Sequence, residues 1–265
     1  PGGVQGRSLL TQIVGRAAGG SSNLYAENYL PLLHFRWSQL RGLQSRGMKY
    51  IEAPRPELYD TRADPRELKN LFVARQTLAH ELRDRLYSVL RRFTPTGSKA
   101  GEKELTDPAL LERLRSLGYV AVSAGTFAEA SGKSLPDPKD RIQVYELVSG
   151  AMTDGQRGRY EESLRKLREA EKTEPESLTI RYLAALDYYR LKDYGHAIER
   201  FQSALQLNPK FALATYYLGL SQLQTGDFDG AAASFVRTLE LDPTNFSAAF
   251  NLGAVYSRQK RPEEA

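Results

Sequence analysis

Over residues 141–265 the apolar positions follow a helical period, and the pattern itself returns every 34 residues. Pro175, Pro209 and Pro243 mark that period, and two series of small residues keep step with it: Ala185, Gly219 and Gly253, then Ala197, Ala231 and Ala265. Aromatic pairs do the same, with Phe201 and Phe235, Tyr194 and Phe228, and Tyr188 and Tyr256. The unit that fits is a helical hairpin. Small residues on both helices let the backbones approach where they cross, while larger side chains fill the space beside them. Short turns, Lys192-Asp193-Tyr194 and Gly226-Asp227-Phe228, separate the two helices, with Gly226 suited to the left-handed position that ends the first. Asn208-Pro209 and Asp242-Pro243 end the second, because the residue before a proline disfavours the helical region. Two full copies span 178–211 and 212–245. A weaker copy spans 144–177, with Asp154 at an otherwise aromatic offset, and a further copy starts at Phe246 and stops at Ala265. Because half a hairpin cannot cover its own apolar face, the natural protein is expected to continue past Ala265.

Residues 20–75 lack the helical period. Strands are predicted at Leu24–Glu27, at Leu40–Gln44 and Met48–Glu52 on either side of the turn Ser45-Arg46-Gly47, and at Glu57–Asp60. They make a small antiparallel sheet in which Tyr59 points to the packing face. Ala63-Asp64-Pro65-Arg66-Glu67 then reads as a turn into a helix start, with Pro65 opening an amphipathic helix that runs from Pro65 or Val73 to Arg92. Thr94-Pro95-Thr96-Gly97 ends it. Residues 94–140 are a linker carrying one short helix, Pro108–Leu117, with Asp107 as N-cap and Leu111, Leu114 and Leu117 on one face. The domain reading is therefore 1–93, 94–140 and 141–265. The fold class is α+β followed by all-α: a small antiparallel sheet with a long helix, then a right-handed solenoid of helical hairpins, about three and a half repeats long.

The repeat, by its length, small residues, aromatics and closing proline, resembles the tetratricopeptide repeat. That resemblance implies binding of a peptide or protein segment along the concave surface of successive first helices. Carried onto this chain, the groove offsets fall on Tyr182, Leu186, Tyr189 and Arg190, on Tyr216, Leu220 and Gln224, and on Phe250 and Arg258. The groove would be aromatic and apolar, although packing between repeats is an equal reading for Leu186 and Leu220. The Lys and Asn set with which some members of the family clamp a terminal carboxylate is missing, so a chaperone-tail ligand is not expected.

The front region also carries a likeness. Gly6-Arg7-Ser8-Leu9-Leu10, Tyr25-Ala26-Glu27, His34-Phe35-Arg36-Trp37-Ser38, Lys49-Tyr50-Ile51 and, most tellingly, Glu57-Leu58-Tyr59-Asp60 with Asp64-Pro65, Glu67 and Asn70-Leu71 resemble the C-terminal end of a sulfatase. Leu114–Val120 is similar to a segment that follows the sulfatase domain in fusions with tetratricopeptide repeats. The resemblance implies a parent that hydrolyses sulfate esters with a formylglycine and a divalent cation, commonly calcium, and that is exported. The formylglycine arises in a C/S-x-P-x-R motif, which does not occur in this chain: the single Ser-x-Pro, Ser134-Leu135-Pro136, runs on into Asp137-Pro138. No catalytic residue can be transferred, and the isolated chain is expected to be catalytically inert. His34 has two readings, a residue approaching the substrate pocket of the complete enzyme or a packing residue between aromatics. The rival reading is a non-enzymatic scaffold in which the array does the work. A third possibility is that the front belongs to another alkaline-phosphatase-like enzyme acting on phosphate esters.

Composition narrows this further. The chain has 265 residues, 41% hydrophobic and 26% charged, an ordinary globular balance. With no Cys there is no disulfide framework or thiolate metal site. No apolar run is long enough to span a membrane. The net charge of +5 suggests nucleic acid until it is located: residues 1–140 carry a surplus of six positive charges, and the rest a deficit of one. Within the basic half, Arg83, Arg85, Arg91 and Arg92 alternate with Glu81 and Asp84, a solvated helix face rather than a phosphate track, so no nucleic-acid partner is expected. Gly132-Lys133-Ser134 imitates a phosphate loop without its leading glycine or strand, and Gly19-Gly20-Ser21-Ser22 precedes no helix start. His34, His80 and His196 have no metal-ligand spacing.

Overall fold

The computed structural model describes residues 23–93 and 135–259. The expected helix at Pro108–Leu117, the Leu114–Val120 likeness, the Gly6–Leu10 element and both phosphate-loop imitations lie outside the described residues.

The chain divides into two compact units. Of the described residues, the first holds 23–28 and 40–93, and the second holds Tyr29–Gln39 together with 135–259. The domain reading had kept residues 29–39 with the sheet. The structure groups them with the array instead.

In the first unit, β1 (Leu24–Asn28), β2 (Leu40–Ser45), β3 (Met48–Glu52) and β4 (Glu57–Asp60) form an antiparallel sheet in the order β1-β2-β3-β4. The β2–β3 turn has Arg46 at φ 52° and Gly47 at φ 85°, the two positive dihedrals whose twist matches the flanking strands. The register places Tyr25 beside Leu43, Leu43 beside Tyr50, and Tyr50 beside Leu58. This one row, with Leu43, Tyr50 and Leu58 almost fully buried, meets Ala79, Leu82 and Leu86 of α2 (Gln76–Phe93). Because side chains alternate along a strand, Leu58 takes the packing face and Tyr59, half-buried, points to the other. That reverses the expectation for Tyr59.

The helix also starts later than Pro65. Residues 61–75 form turns that fasten the sheet edge. Asn70 Oδ1 accepts from Leu58 N at 3.1 Å and Phe72 N at 2.9 Å, while Leu71 N donates to Leu58 O at 2.7 Å. Lys49 pairs with Glu67 at 2.7 Å, and Asp60 accepts from Arg62 N and Ala63 N, both at 3.1 Å. The outer edge of β4 is thereby occupied rather than left as a row of open donors and acceptors.

Among the described residues of the second unit, a short helix, α1 (Leu30–Phe35), and a 3-10 turn at Pro138–Arg141 accompany three helical hairpins and one further α-helix. The hairpins are α3 (Ile142–Gln156) with α4 (Tyr160–Thr173), α5 (Leu178–Arg190) with α6 (Tyr194–Leu207), and α7 (Ala212–Thr225) with α8 (Phe228–Leu241); α9 (Phe246–Arg258) follows. Ser177, Asp193, Asp227 and Asn245 cap α5, α6, α8 and α9 through their side chains, and Gly226, at φ 82°, ends α7. Ala185, Ala197, Ala231, Phe201 and Phe235 are completely buried, as the hairpin pattern requires. At Gly219 the approach is closest: a Cβ there would stand 2.9 Å from Phe235 Cε1 and 3.1 Å from Ser234 Cβ.

Candidate binding surface of the helical array

Successive first helices α5, α7 and α9 present the groove offsets, and the structure treats them unequally. Tyr182 is withdrawn. It is 2% exposed, with its ring 4.8 Å from Phe211 and 6.1 Å from Phe201, because Phe211 enters the next repeat directly above it. Leu186 and Leu220 are half-buried and pack with the repeat cores, which supports the packing reading for both.

Tyr189 and Tyr216 are half-buried and joined through Tyr217. Tyr189 meets Tyr217 edge-on at 5.4 Å and Tyr194 at 5.7 Å, and Tyr217 meets Tyr216 at 5.6 Å. Edge-to-face geometry sets the positive ring edge against the negative face, so this ladder holds its rings in fixed orientations. Burial raises the phenol pKa of both Tyr189 and Tyr216, so both are hydrogen-bonding phenols rather than phenolates near neutrality. Asn251 Nδ2 donates to the Tyr216 hydroxyl at 3.2 Å, which carries the ladder onto α9. There Phe250 is 79% exposed, and Gln224, Arg190 and Arg258 are exposed along the same series. Tyr217 and Asn251 were absent from the sequence-derived set. They stand one repeat apart, immediately after Tyr216 and Phe250, so the period itself held the signal.

Arg190 is tied at its base. Its guanidinium lies 3.9 Å from Asp187 and 5.8 Å from the Tyr160 ring centroid. Asp187 is buried, accepts from the Ser163 hydroxyl, and has its pKa pushed up to about 6, chiefly by desolvation. In the weaker first copy, Asp154 replaces the aromatic with charge. Lys166 Nζ donates to its carboxylate at 2.5 Å and Arg159 donates to the other oxygen, and the Lys166 hydrogen bond foremost holds its pKa below the usual range.

His34 lies on α1, against the array. Its backbone carbonyl accepts from Thr179 Oγ1 at 2.6 Å, and burial lowers its imidazole pKa. His196 Nδ1 lies 2.7 Å from Asp193 Oδ2, and His80 meets Phe72 edge-on. Among the described residues no three His, Cys, Asp or Glu side chains are grouped to hold a metal, and no helix is long and apolar enough to cross a membrane.

The tetratricopeptide repeat family model matches residues 151–210, 182–245 and 218–265. The chain is similar in structure to the first such domain of Spaghetti (RPAP3), solved with an HSP90 peptide: 22% identity, 45% of this chain and 94% of that one, TM-score 0.44. It is also similar to MamA, with 21% identity, 58% of this chain and 86% of that one, TM-score 0.46. For the Sgt2 domain of Aspergillus fumigatus the identity is 18%, over 46% of this chain and 83% of that one, with TM-score 0.42. No curated protein matches the chain. None of these comparisons reports a sulfatase or an alkaline-phosphatase-like part. Within the helical array, residues 151–265 carry tetratricopeptide repeats.

Proposed function

We propose that the chain works as a scaffold, binding a peptide or protein segment along the face of α5, α7 and α9 without chemistry of its own. The observation that carries this is the run of oriented aromatics, Tyr189, Tyr217 and Tyr216, leading through Asn251 to the exposed ring of Phe250. A half-buried aromatic row of fixed geometry, ending in an exposed ring, supplies contact area at little entropic cost, which is how binding hot spots are built. Arg190 and Arg258 flank the row and favour a ligand that mixes apolar side chains with acceptors. The test is selection of a displayed peptide library on the full chain. Selected peptides should bind the wild type and lose at least about tenfold in affinity on a Tyr216→Ala/Phe250→Ser variant, about 1.4 kcal/mol. Equal binding to both would overturn the reading.

A second reading concerns the front unit, as the end of a sulfatase-type hydrolase of the alkaline-phosphatase-like superfamily. It is supported by the sequence likeness at Glu57–Asp60, Asp64-Pro65, Glu67 and Asn70-Leu71, residues that act together in one edge latch. The coding sequence upstream of Pro1 tests it: a C/S-x-P-x-R motif with Asp and Asn metal ligands would support it, and its absence from a contiguous reading frame would remove it.

A further inference from the structure

Residues 29–39 group with the array, where Phe35, 8% exposed, and Trp37, 2% exposed, join one buried cluster with residues of α3, α4 and α5, among them Val148, Leu167 and Ala184. Leu30, Met152 and Leu183, partly buried, pack against the same cluster. Tyr145 and Thr179, which the segment touches, stand 34 residues apart at one offset of successive first helices. The segment therefore lies over the first helices of the first two hairpins.

Its attachment is that of a bound peptide. Phe35 stacks on Trp37 at 4.3 Å and meets the Tyr145 ring edge-on at 6.5 Å. Polar bonds hold the backbone and the indole: Thr179 Oγ1 donates to His34 O, Trp37 Nε1 donates to Glu174 Oε1 at 3.2 Å, and Ser38 N donates to Pro136 O at 2.9 Å. A six-residue helix with no side-chain N-cap is far too short to persist alone, so the surface beneath it is what makes it helical. That is the behaviour of a segment that orders on binding.

We propose that the face of α3 and α5 is a second peptide-binding site, occupied in this chain by its own residues 29–37. The ligand class follows from the occupant, Tyr29-Leu30-Pro31-Leu32-Leu33-His34-Phe35-Arg36-Trp37: a short apolar segment ending in an aromatic pair, bound mid-chain with no terminal carboxylate. The site rests on the proposed first-helix binding reading and extends it to α3, with α5 common to both.

The experiment uses the full chain and a fluorescein-labelled synthetic peptide of residues 28–39. The wild type, whose site is filled in cis, should bind the probe about tenfold more weakly, or less, than a Phe35→Ala/Trp37→Ala variant whose own segment no longer competes. Adding Val148→Asp to that variant should abolish uptake, while adding Tyr216→Ala/Phe250→Ser should leave it unchanged. This separates failure here from failure of the α5, α7 and α9 groove. A variant with wild-type circular dichroism that takes up no probe, or a wild type that binds equally well, would overturn the proposal. Should the variant not fold, hydrogen exchange on the wild type decides. The amides of Arg36, Trp37 and Ser38 should open well before those of α4 and α6. Release only with global unfolding would make the segment a fixed part of the core and refute its role as ligand.

Discussion

Replacing Asp187 with Asn tests the electrostatic account of the array, because the two side chains have nearly the same shape and differ in charge. Asp187 is buried on α5, opposite the Ser163 hydroxyl and beside Gly155, where a Cβ would come within 3.1 Å of Asp187 Oδ1. Its folded pKa of about 6 lies above the ordinary 3.8, so the folded state binds the proton more tightly than the unfolded chain. Between those two values the folded form holds more protons, so stability falls as pH rises through the window and stays reduced above it. Two units correspond to about 3 kcal/mol at pH near 7, shrinking to about 1 kcal/mol near pH 4.5. Arg190, exposed and 3.9 Å away, returns well under 1 kcal/mol of this. Asp187→Asn should thus raise the unfolding free energy by about 2 kcal/mol near pH 7, with a gain about half that or less near pH 4.5. Denaturant titration followed by far-UV circular dichroism at the two pH values measures it, and comparing variant with wild type cancels the opposing contributions of His34 and Asp154. A gain that does not change with pH, or one larger at the acidic end, would refute the argument.

Two further outcomes follow from packing. Gly219→Ala forces a methyl against the fully buried Phe235 ring and Ser234, and this overlap outweighs the helix-propensity gain of about 1 kcal/mol, for a net loss of about 1 kcal/mol. Gly195→Ala, where no heavy atom lies within 4 Å, should instead be neutral or stabilising in the same denaturant titration, and a loss as large as that at Gly219 would remove the steric explanation. In the front unit, Asn70→Ala leaves the Leu58 and Phe72 amides without their acceptor and should cost about 1–3 kcal/mol, whereas Asn70→Asp, which keeps the Oδ acceptors, should restore most of it. Hydrogen exchange of the β4 amides reads the difference, and unchanged protection in the Ala variant would show that the latch does not hold the edge.

What the sequence determined by itself was everything set by local periodicity. The 34-residue recurrence fixed the hairpins, their turns and the buried Ala185, Phe201, Ala231 and Phe235, because residues close in sequence lie on one face of one helix. Alternation and turn residues did the same for the four strands. The tertiary structure decided matters that turn on partners far along the chain. Leu58 rather than Tyr59 packs inward because its register partner is Tyr50 and its outer edge is taken by Asn70 and Leu71. Tyr182 is removed from the binding face because Phe211 folds over it. Asp187 is protonated more readily than an ordinary carboxyl because burial, invisible in a helical pattern, disfavours its charge. Residues 29–39 read in sequence as part of the front region, yet the bond from Thr179 to His34 and the burial of Phe35 and Trp37 assign them to the array, since hydrophobic surface is satisfied wherever a complementary face exists and not where the chain is nearest.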